Sequence, residues 1–341
     1  MPAFDLIPFS DAHLDDAAAL LAARHQRDRA HEPGLSPRFA SLEGARAAVW
    51  AARKEADARG VVALRGGRVV GYLIGAPETA EIWGRSSWVR LGGHAIAVDE
   101  DADLYRDLYA ALAPAWTALG CFAHFAVIPA WDRAMLDVWF ALGFGQQQAY
   151  ALRTLAEPAP PLSDLDPTIE VRRAGPDDLD AMMAMQDVLA THLMRAPVYS
   201  FIPPEMRRLW HTDMAEALAN PDTSAWLAVR DGNVLGAVLF TMARPSDGTL
   251  HLPERCRALD LAVTRPQAWG RGIARTLTAR GLAEARAAGF THCVTDWRTA
   301  NLPSSRLWPR QGFRPVVYRM ARLIDARVAW APAAYDLHTR H

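Results

Sequence analysis

The stretch Gln267-Ala-Trp-Gly-Arg-Gly-Ile-Ala274 sets two glycines around an arginine. It follows a mostly apolar run, Cys256 to Val263, that reads as a strand. It precedes a run with Ile273, Leu277, Leu282 and Ala285 at helical spacing. The order predicts strand, loop, helix. A helix start leaves backbone N–H groups without partners and carries partial positive charge. Glycines let the backbone turn sharply and approach a ligand closely. Gly270 and Gly272 at such a start therefore suit an anion, above all a phosphate. The stretch is neither the G-x-x-x-x-G-K-[ST] loop nor the G-x-G-x-x-G fingerprint. A tight turn that holds nothing is the alternative.

The elements around this loop are written twice. Leu14, Arg65, Gly71 and Val98 sit in contexts that recur at Leu179, Arg230, Gly236 and Val263, each 165 residues on. Gly120, Trp139 and Phe144 recur at Gly289, Trp308 and Phe313, now 169 residues on. A duplicated domain is predicted, with four extra residues in the second copy between Val263 and Gly289. The loop lies in that interval. Residues 1–155 form the first copy and 168–325 the second. The proline-rich stretch 156–167 links them, and 326–341 is an irregular tail.

The second copy reads as an α+β unit. A strand opens at Ile169 and a helix follows Pro176-Asp-Asp. A loop-rich aromatic stretch, His192 to Pro204, leads to a helix near Glu205–Ala219. A hairpin turns on Asp231-Gly232. After the loop and its helix come a strand through Thr291–Trp297, a short helix from Pro303, and a last strand from Arg314 that closes the unit. The prediction is a mixed, mostly antiparallel sheet flanked by helices, in two tandem copies.

This order resembles the GNAT superfamily of acyl-CoA N-acyltransferases. The loop is similar to that family's [RQ]-x-x-G-x-[GA] pyrophosphate motif, and Asn301-x-x-Ser304 with Trp308-x-x-x-Gly-Phe313 resembles its later segment. The resemblance covers about 169–325 and, more weakly, 5–155. It implies acetyl-CoA, or another short acyl-CoA, as cosubstrate and a small-molecule primary amine as acceptor. The backbone of Leu261, Ala262 and Val263 would meet the pantetheine arm, with the Val263 N–H at the thioester carbonyl. Gln267 leads the motif, and Trp269, Gly270, Arg271, Gly272, Ile273 and Ala274 would cradle the pyrophosphate. Asn301, Ser304 and Trp308 would line the far wall; capping a helix is a compatible role for Asn301.

Two departures from the family pattern bear on mechanism. Many relatives place a tyrosine acid where this chain has Trp308, and an indole N–H has no useful acidity near neutral pH. Tyr318 is nearby in sequence, yet Tyr150 echoes it in the first copy, which favours a structural role. The base positions common in the family fall on Arg257 and Leu259. The main candidates left are Asp260 and Asp296, with Asp260 on the useful face only if a bulge breaks the strand's alternation; His251, Glu254 and His292 are weaker options, and deprotonation through water, as in some relatives, is a further route. The first copy reads Asp-Glu-Asp-Ala-Asp at 99–103 in place of the loop, and Asp132 in place of Asn301. Acidic side chains repel phosphate, so the first copy is expected to keep the fold without the cosubstrate. A non-catalytic acyl-CoA-binding or interaction module is the alternative function.

Composition narrows the classes. A formal net charge of −1 provides no overall field for nucleic acid. No apolar run is long enough for a bilayer, and the opening residues lack a signal peptide's basic and apolar regions. Cys121, Cys256 and Cys293 lack metal-ligand spacing and read as buried thiols, so no metal is expected and the cytoplasm is the expected location. Two fused copies make a monomer as natural as a homodimer.

Overall fold

The computed structural model describes residues 4–156 and 165–329. Most of the expected linker and tail lies outside these residues; the described parts are a turn before Glu170 and a short helical turn at Ala326–Ala329.

In chain order the elements begin with β1 (Asp5–Pro8), α1 (Leu14–His31), α2 (Leu42–Lys54), β2 (Arg59–Arg65) and β3 (Arg68–Ala80). Next come β4 (Gly84–Val89), β5 (His94–Ile96), α3 (Leu104–Ala118), β6 (Ala123–Pro129), α4 (Arg133–Ala141) and β7 (Gly145–Thr154). The second half adds β8 (Glu170–Arg173), α5 (Leu179–Leu193), α6 (Met206–Ala219), β9 (Ser224–Arg230), β10 (Asn233–Met242) and β11 (Cys256–Thr264). It ends with α7 (Ile273–Ala287), β12 (His292–Arg298), α8 (Leu302–Arg310) and β13 (Arg314–Leu323).

The chain forms two compact units, and each is discontinuous in sequence. One comprises Met1–Gln147, Pro245–His251 and Val316–His341; the other comprises Gln148–Arg244 and Leu252–Pro315. The first unit's sheet runs β1-β2-β3-β4-β6-β13, with β5 continuing the line of β4 along β3. The second unit's sheet runs β8-β9-β10-β11-β12-β7. Each holds one parallel pair, β4 with β6 and β11 with β12, among antiparallel neighbours. The two plans match strand for strand, as the duplicated sequence predicts.

The last strands differ from expectation. β13 was expected to close the second copy's sheet, but from Val317 to Leu323 it pairs with β6 in the first unit. The second unit is closed by β7, whose residues 148–154 pair with β12. The physical reason lies in the repeat itself. Both strands are copies of one pattern, so either fits either slot, and local sequence does not say which copy goes where.

Packing in the second unit fixes which side chains face which layer. The Asp231-Gly232 turn takes φ of 50° and 74°, the left-handed pair a tight hairpin requires. Leu227, Leu239, Leu261 and Val263 pack with Met182, Met185, Met214 and Leu218 of α5 and α6. Phe240 points to the opposite layer, where Gly281 of α7 gives its ring room: a Cβ there would stand 2.0 Å from the ring. Among the described residues no helix is long and apolar enough to cross a membrane.

Candidate active site

The site begins as a fork between two strands. β11 and β12 pair from Cys256 and His292 up to Leu259 and Thr295, and no pairing continues beyond that rung. A bulge explains the parting. On β10, Leu239 lies opposite Leu261 and Phe240 opposite Leu259, so Asp260 is an extra residue on β11. A cleft of about 560 Å³ opens between the end of β11, the start of α7, α8 and α5. That volume is in the range of small-molecule sites.

The glycine loop forms one end of this cleft. Gly270 and Gly272 both take φ of 77°, which L side chains rarely adopt. Gly272 is the N-cap of α7, and the first helical bond runs from the Thr276 N–H to its carbonyl, 3.0 Å. The N–H groups of Ile273, Ala274 and Arg275 therefore have no partner within the helix. All three residues line the cleft, together with Trp269, Gly270, Arg271 and Gly272. Arg271 and Arg275 are exposed and add positive charge beside those amides.

Asn301 and Ser304 stand on the α8 wall with Leu307 and the buried Trp308. Asn301 occupies the N-cap position of α8, yet its side chain makes no cap bond. It turns instead to His192 at the end of α5, whose Nε2 lies 3.1 Å from its Oδ1. The His192 ring meets the Trp269 ring edge to face at 5.8 Å. Asp132 of the first unit, at the matching position, is an ordinary cap that accepts from the Met135 N–H at 3.0 Å. The copies share the helix start, but only Asn301 aims its side chain at a cleft.

Of the expected cosubstrate residues, Leu261 and Gln267 are not on the wall. Leu261 is buried with α5 and α6, and Gln267 is exposed on a short turn of helix at Pro266–Ala268. The backbone expectation for β11 also needs correcting. The Arg265 N–H donates to Leu235 on β10 at 2.8 Å. Alternation then points the Val263 and Leu261 amides at β10, and those of Ala262 and Thr264 into the fork. Sequence reading missed Thr264, whose hydroxyl is buried on the cleft wall without a hydrogen-bond partner among the described residues. It also missed His192. Neither carries a local signal.

The two candidate bases sit just past the last paired rung of the fork. Asp260 is the bulge residue, and the Thr241 hydroxyl donates to its carboxylate. Thr241 follows Phe240 and so faces α5 and α6, and its bond places the Asp260 carboxylate on that same face, the alternation break the base role requires. The carboxyl is solvent-accessible yet closely surrounded by protein, and desolvation raises its pKa above the usual carboxylate range; the Thr241 bond and the Arg257 charge partly oppose this. Asp296 is exposed at the matching position on β12.

Trp308 meets Phe313 edge to face at 5.6 Å, and its duplicate Trp139 meets Phe144 the same way at 4.8 Å. A pair kept in both units is a packing device. Tyr318 belongs to the first unit, where it packs against the core around Met320.

The first unit's helix start is built differently. The amides of Leu104, Tyr105 and Arg106 bond back to the carbonyls of Asp101, Ala102 and Asp103 at 2.8–3.1 Å. Arg65 and Arg68 pair with Glu100 and Asp99 at 2.7 and 2.9 Å. Amides and charges that could meet a phosphate are already engaged with the chain itself.

Residues 188–313 match the family described as Acetyltransferase (GNAT) family. This segment is a GNAT acetyltransferase domain. The fold of the whole chain is similar to a GCN5-related N-acetyltransferase from Sphaerobacter thermophilus, at 16% identity and a TM-score of 0.59, covering 94% of this chain and 95% of that one. It is also similar to a tandem GNAT protein from the clavulanic acid biosynthesis pathway, at 15% identity and a TM-score of 0.51, covering 95% and 99%. A third likeness is to the GCN5-related glucosamine N-acetyltransferase region of a fungal multi-domain GH3 β-N-acetylglucosaminidase, at 14% identity and a TM-score of 0.58, covering 95% of this chain and 38% of that one. At these identities the likenesses speak to the fold, which is that of two GNAT units in tandem. No curated protein matches the chain by sequence.

Proposed function

We propose that the second unit is an acetyl-CoA-dependent N-acetyltransferase that acts on a small-molecule primary amine, and that the first unit keeps the fold without binding the cosubstrate. In sequence terms the catalytic copy is 168–325 and the other 1–155, with β7 lent to the catalytic sheet. The observation that carries this reading is the fork: a phosphate-suited helix start lies at one end of the cleft, and a desolvated carboxylate, outside the cleft's lining, lies at the point where the strands part. The amides of residues 273–275, with Arg271 and Arg275, suit a pyrophosphate. Thr264 and Asn301 supply polar groups along the arm of the ligand. The Ala262 N–H faces the fork and suits a developing oxyanion. Asp260 suits the removal of a proton from the ammonium, after which the amine attacks the thioester directly.

The buried Trp308 at the usual acid position favours a second reading, a non-catalytic acyl-CoA-binding module. Release of thiol from acetyl-CoA separates the two. The enzyme should release thiol at a rate that depends on an added amine from a panel of amines, small peptides and aminoglycosides. Binding of acetyl-CoA without any such release leaves only the module.

Asp260→Asn should lower kcat about tenfold to a hundredfold while the KM for acetyl-CoA holds. A base must be deprotonated to act. Wild-type kcat should therefore rise with pH through a pKa above the ordinary carboxylate range, and the variant should lose that rise. An unchanged kcat in the variant would remove Asp260 from the role.

A further inference from the structure

The start of α8 departs from an ordinary helix cap. Asparagine at an N-cap usually turns its side-chain oxygen to an amide of its own first turn. Asp132 does the equivalent in the first unit, where it accepts from the Met135 N–H. Pro303 has no N–H, so the matching amide for Asn301 is that of Ser304. The first helical bond runs from the Ser305 N–H to the Asn301 carbonyl, which leaves the Ser304 N–H without a partner in the helix. Asn301 nonetheless passes over that amide and gives its Oδ1 to His192 Nε2.

This choice sets the other end of the side chain. A carbonyl oxygen only accepts, so Nε2 of His192 carries the proton. The Asn301 amide nitrogen lies on the far side of its carboxamide from that bond. It has two N–H donors and no hydrogen-bond partner among the described residues. The nitrogen is not sealed from solvent. Asn301 is 5% exposed and lines the cleft, so the cleft is where the nitrogen reaches solvent. Unpaired donors on a side chain this buried suit an acceptor supplied by a ligand.

His192 is itself held in place. Val188, Leu189 and His192 lie three and four residues apart on α5, and all line the cleft. The imidazole meets the Trp269 ring edge to face. The Trp269 Nε1 in turn donates to the Thr264 carbonyl at 2.8 Å. The end of α5, the glycine loop and the start of α8 therefore meet at one imidazole.

We infer that His192 is a positioning residue: it draws the Asn301 oxygen away from α8, so that the amide N–H groups face the pantetheine arm and donate to one of its amide carbonyls. This role presupposes the acetyl-CoA reading above, and it gives His192 no contact with the reacting atoms. Without the imidazole, Asn301 falls back on the cap bond to Ser304, which supports α8 and turns the donors out of the cleft. The loss is then one of binding. It is confined to ligands that carry the arm, and it is reached only through Asn301.

Calorimetric titration of the full chain with two probes tests this: acetyl-CoA, and adenosine 3′,5′-bisphosphate, which has phosphates but no arm. His192→Leu should weaken acetyl-CoA binding about tenfold and leave the bisphosphate within about twofold. Its melting temperature should hold, because the cap bond replaces the bond that is lost. His192→Gln sets a donor near the place of Nε2 and should bind acetyl-CoA nearly as the wild type does. His192→Asn sets its donor near the place of Nδ1 and should bind like His192→Leu. In an Asn301→Ala background, His192→Leu should cost nothing more. An equal loss for both probes would make His192 a phosphate contact, and a further tenfold loss on top of Asn301→Ala would make it act alone. Either result overturns the inference, as does wild-type acetyl-CoA affinity in His192→Leu, and each leaves the acetyl-CoA reading standing. If His192→Leu does not fold, the contrast between His192→Gln and His192→Asn decides. A wild type that binds no acetyl-CoA sinks the reading itself, and this inference with it.

Discussion

Affinity for acetyl-CoA should drop about a thousandfold when Gly270 and Gly272 are both replaced by valine. Both glycines hold φ at 77°. An L residue there costs roughly 1–2 kcal/mol, and a β-branched one resists it further. The loop would relieve this by rotating its peptide planes, which turns N–H groups away from the cleft. Losing two charge-assisted hydrogen bonds to a phosphate, at roughly 1.5–3 kcal/mol each, gives about 4 kcal/mol, or a factor near a thousand. The fold should survive. A Cβ on Gly270 meets nothing within 4 Å, so no core contact is displaced at that position. The combined strain of roughly 2–4 kcal/mol is a part of the 5–15 kcal/mol typical of a domain. Calorimetric titration with acetyl-CoA, alongside a thermal melt that stays cooperative, checks both halves. Affinity within threefold of wild type in a folded double variant would remove the loop from the binding site.

The sequence and the structure agree where a signal is local. The glycine loop, the helix behind it and the hairpin on Asp231-Gly232 each rest on a few adjacent residues with a known conformational demand. The repeat is legible because matched residues keep a constant shift, and the jump from 165 to 169 brackets the interval that differs between the copies. What the sequence hides is decided by pairing. The phase of the β11 amides depends on the Arg265 to Leu235 bond, so Thr264 rather than Val263 turns its amide to the fork. The bulge at Asp260 is a register event seen only against β10. His192 and Asn301 are 109 residues apart and become a pair only in three dimensions. The exchange of β7 and β13 is the deepest case, because two copies of one strand carry the same instructions.

Acid should destabilise the first unit between pH 6.5 and about 4. His124 is buried, with its Nε2 3.0 Å from the Cys121 carbonyl and its Nδ1 2.8 Å from the Tyr109 hydroxyl. His94 repeats the arrangement, with Nε2 3.0 Å from the Val127 carbonyl and Nδ1 3.3 Å from the Tyr105 hydroxyl, beside the buried Arg24. Each ring thus fits as a neutral tautomer that donates at Nε2 and accepts at Nδ1. Burial pushes the His124 pKa down to about 4. Burial also holds His94 well below the usual value, with the Arg24 charge acting the same way, and lowers His25. The sign follows from proton counts. Between pH 6.5 and about 4 the unfolded histidines bind protons that the folded ones do not, so stability falls as pH falls through that window. At 1.36 kcal/mol per pKa unit, His124 alone removes about 3 kcal/mol by pH 4. His94 and His25 act in the same direction and extend the loss. Hydrogen exchange followed by peptide should show protection in β3, β6 and α3 falling between pH 6.5 and 4.5. His124→Gln, which does not titrate, should start less stable at neutral pH and lose stability less steeply on acidification. Protection in these elements that holds level down to pH 4.5 would show that the rings accept a proton without unfolding the unit.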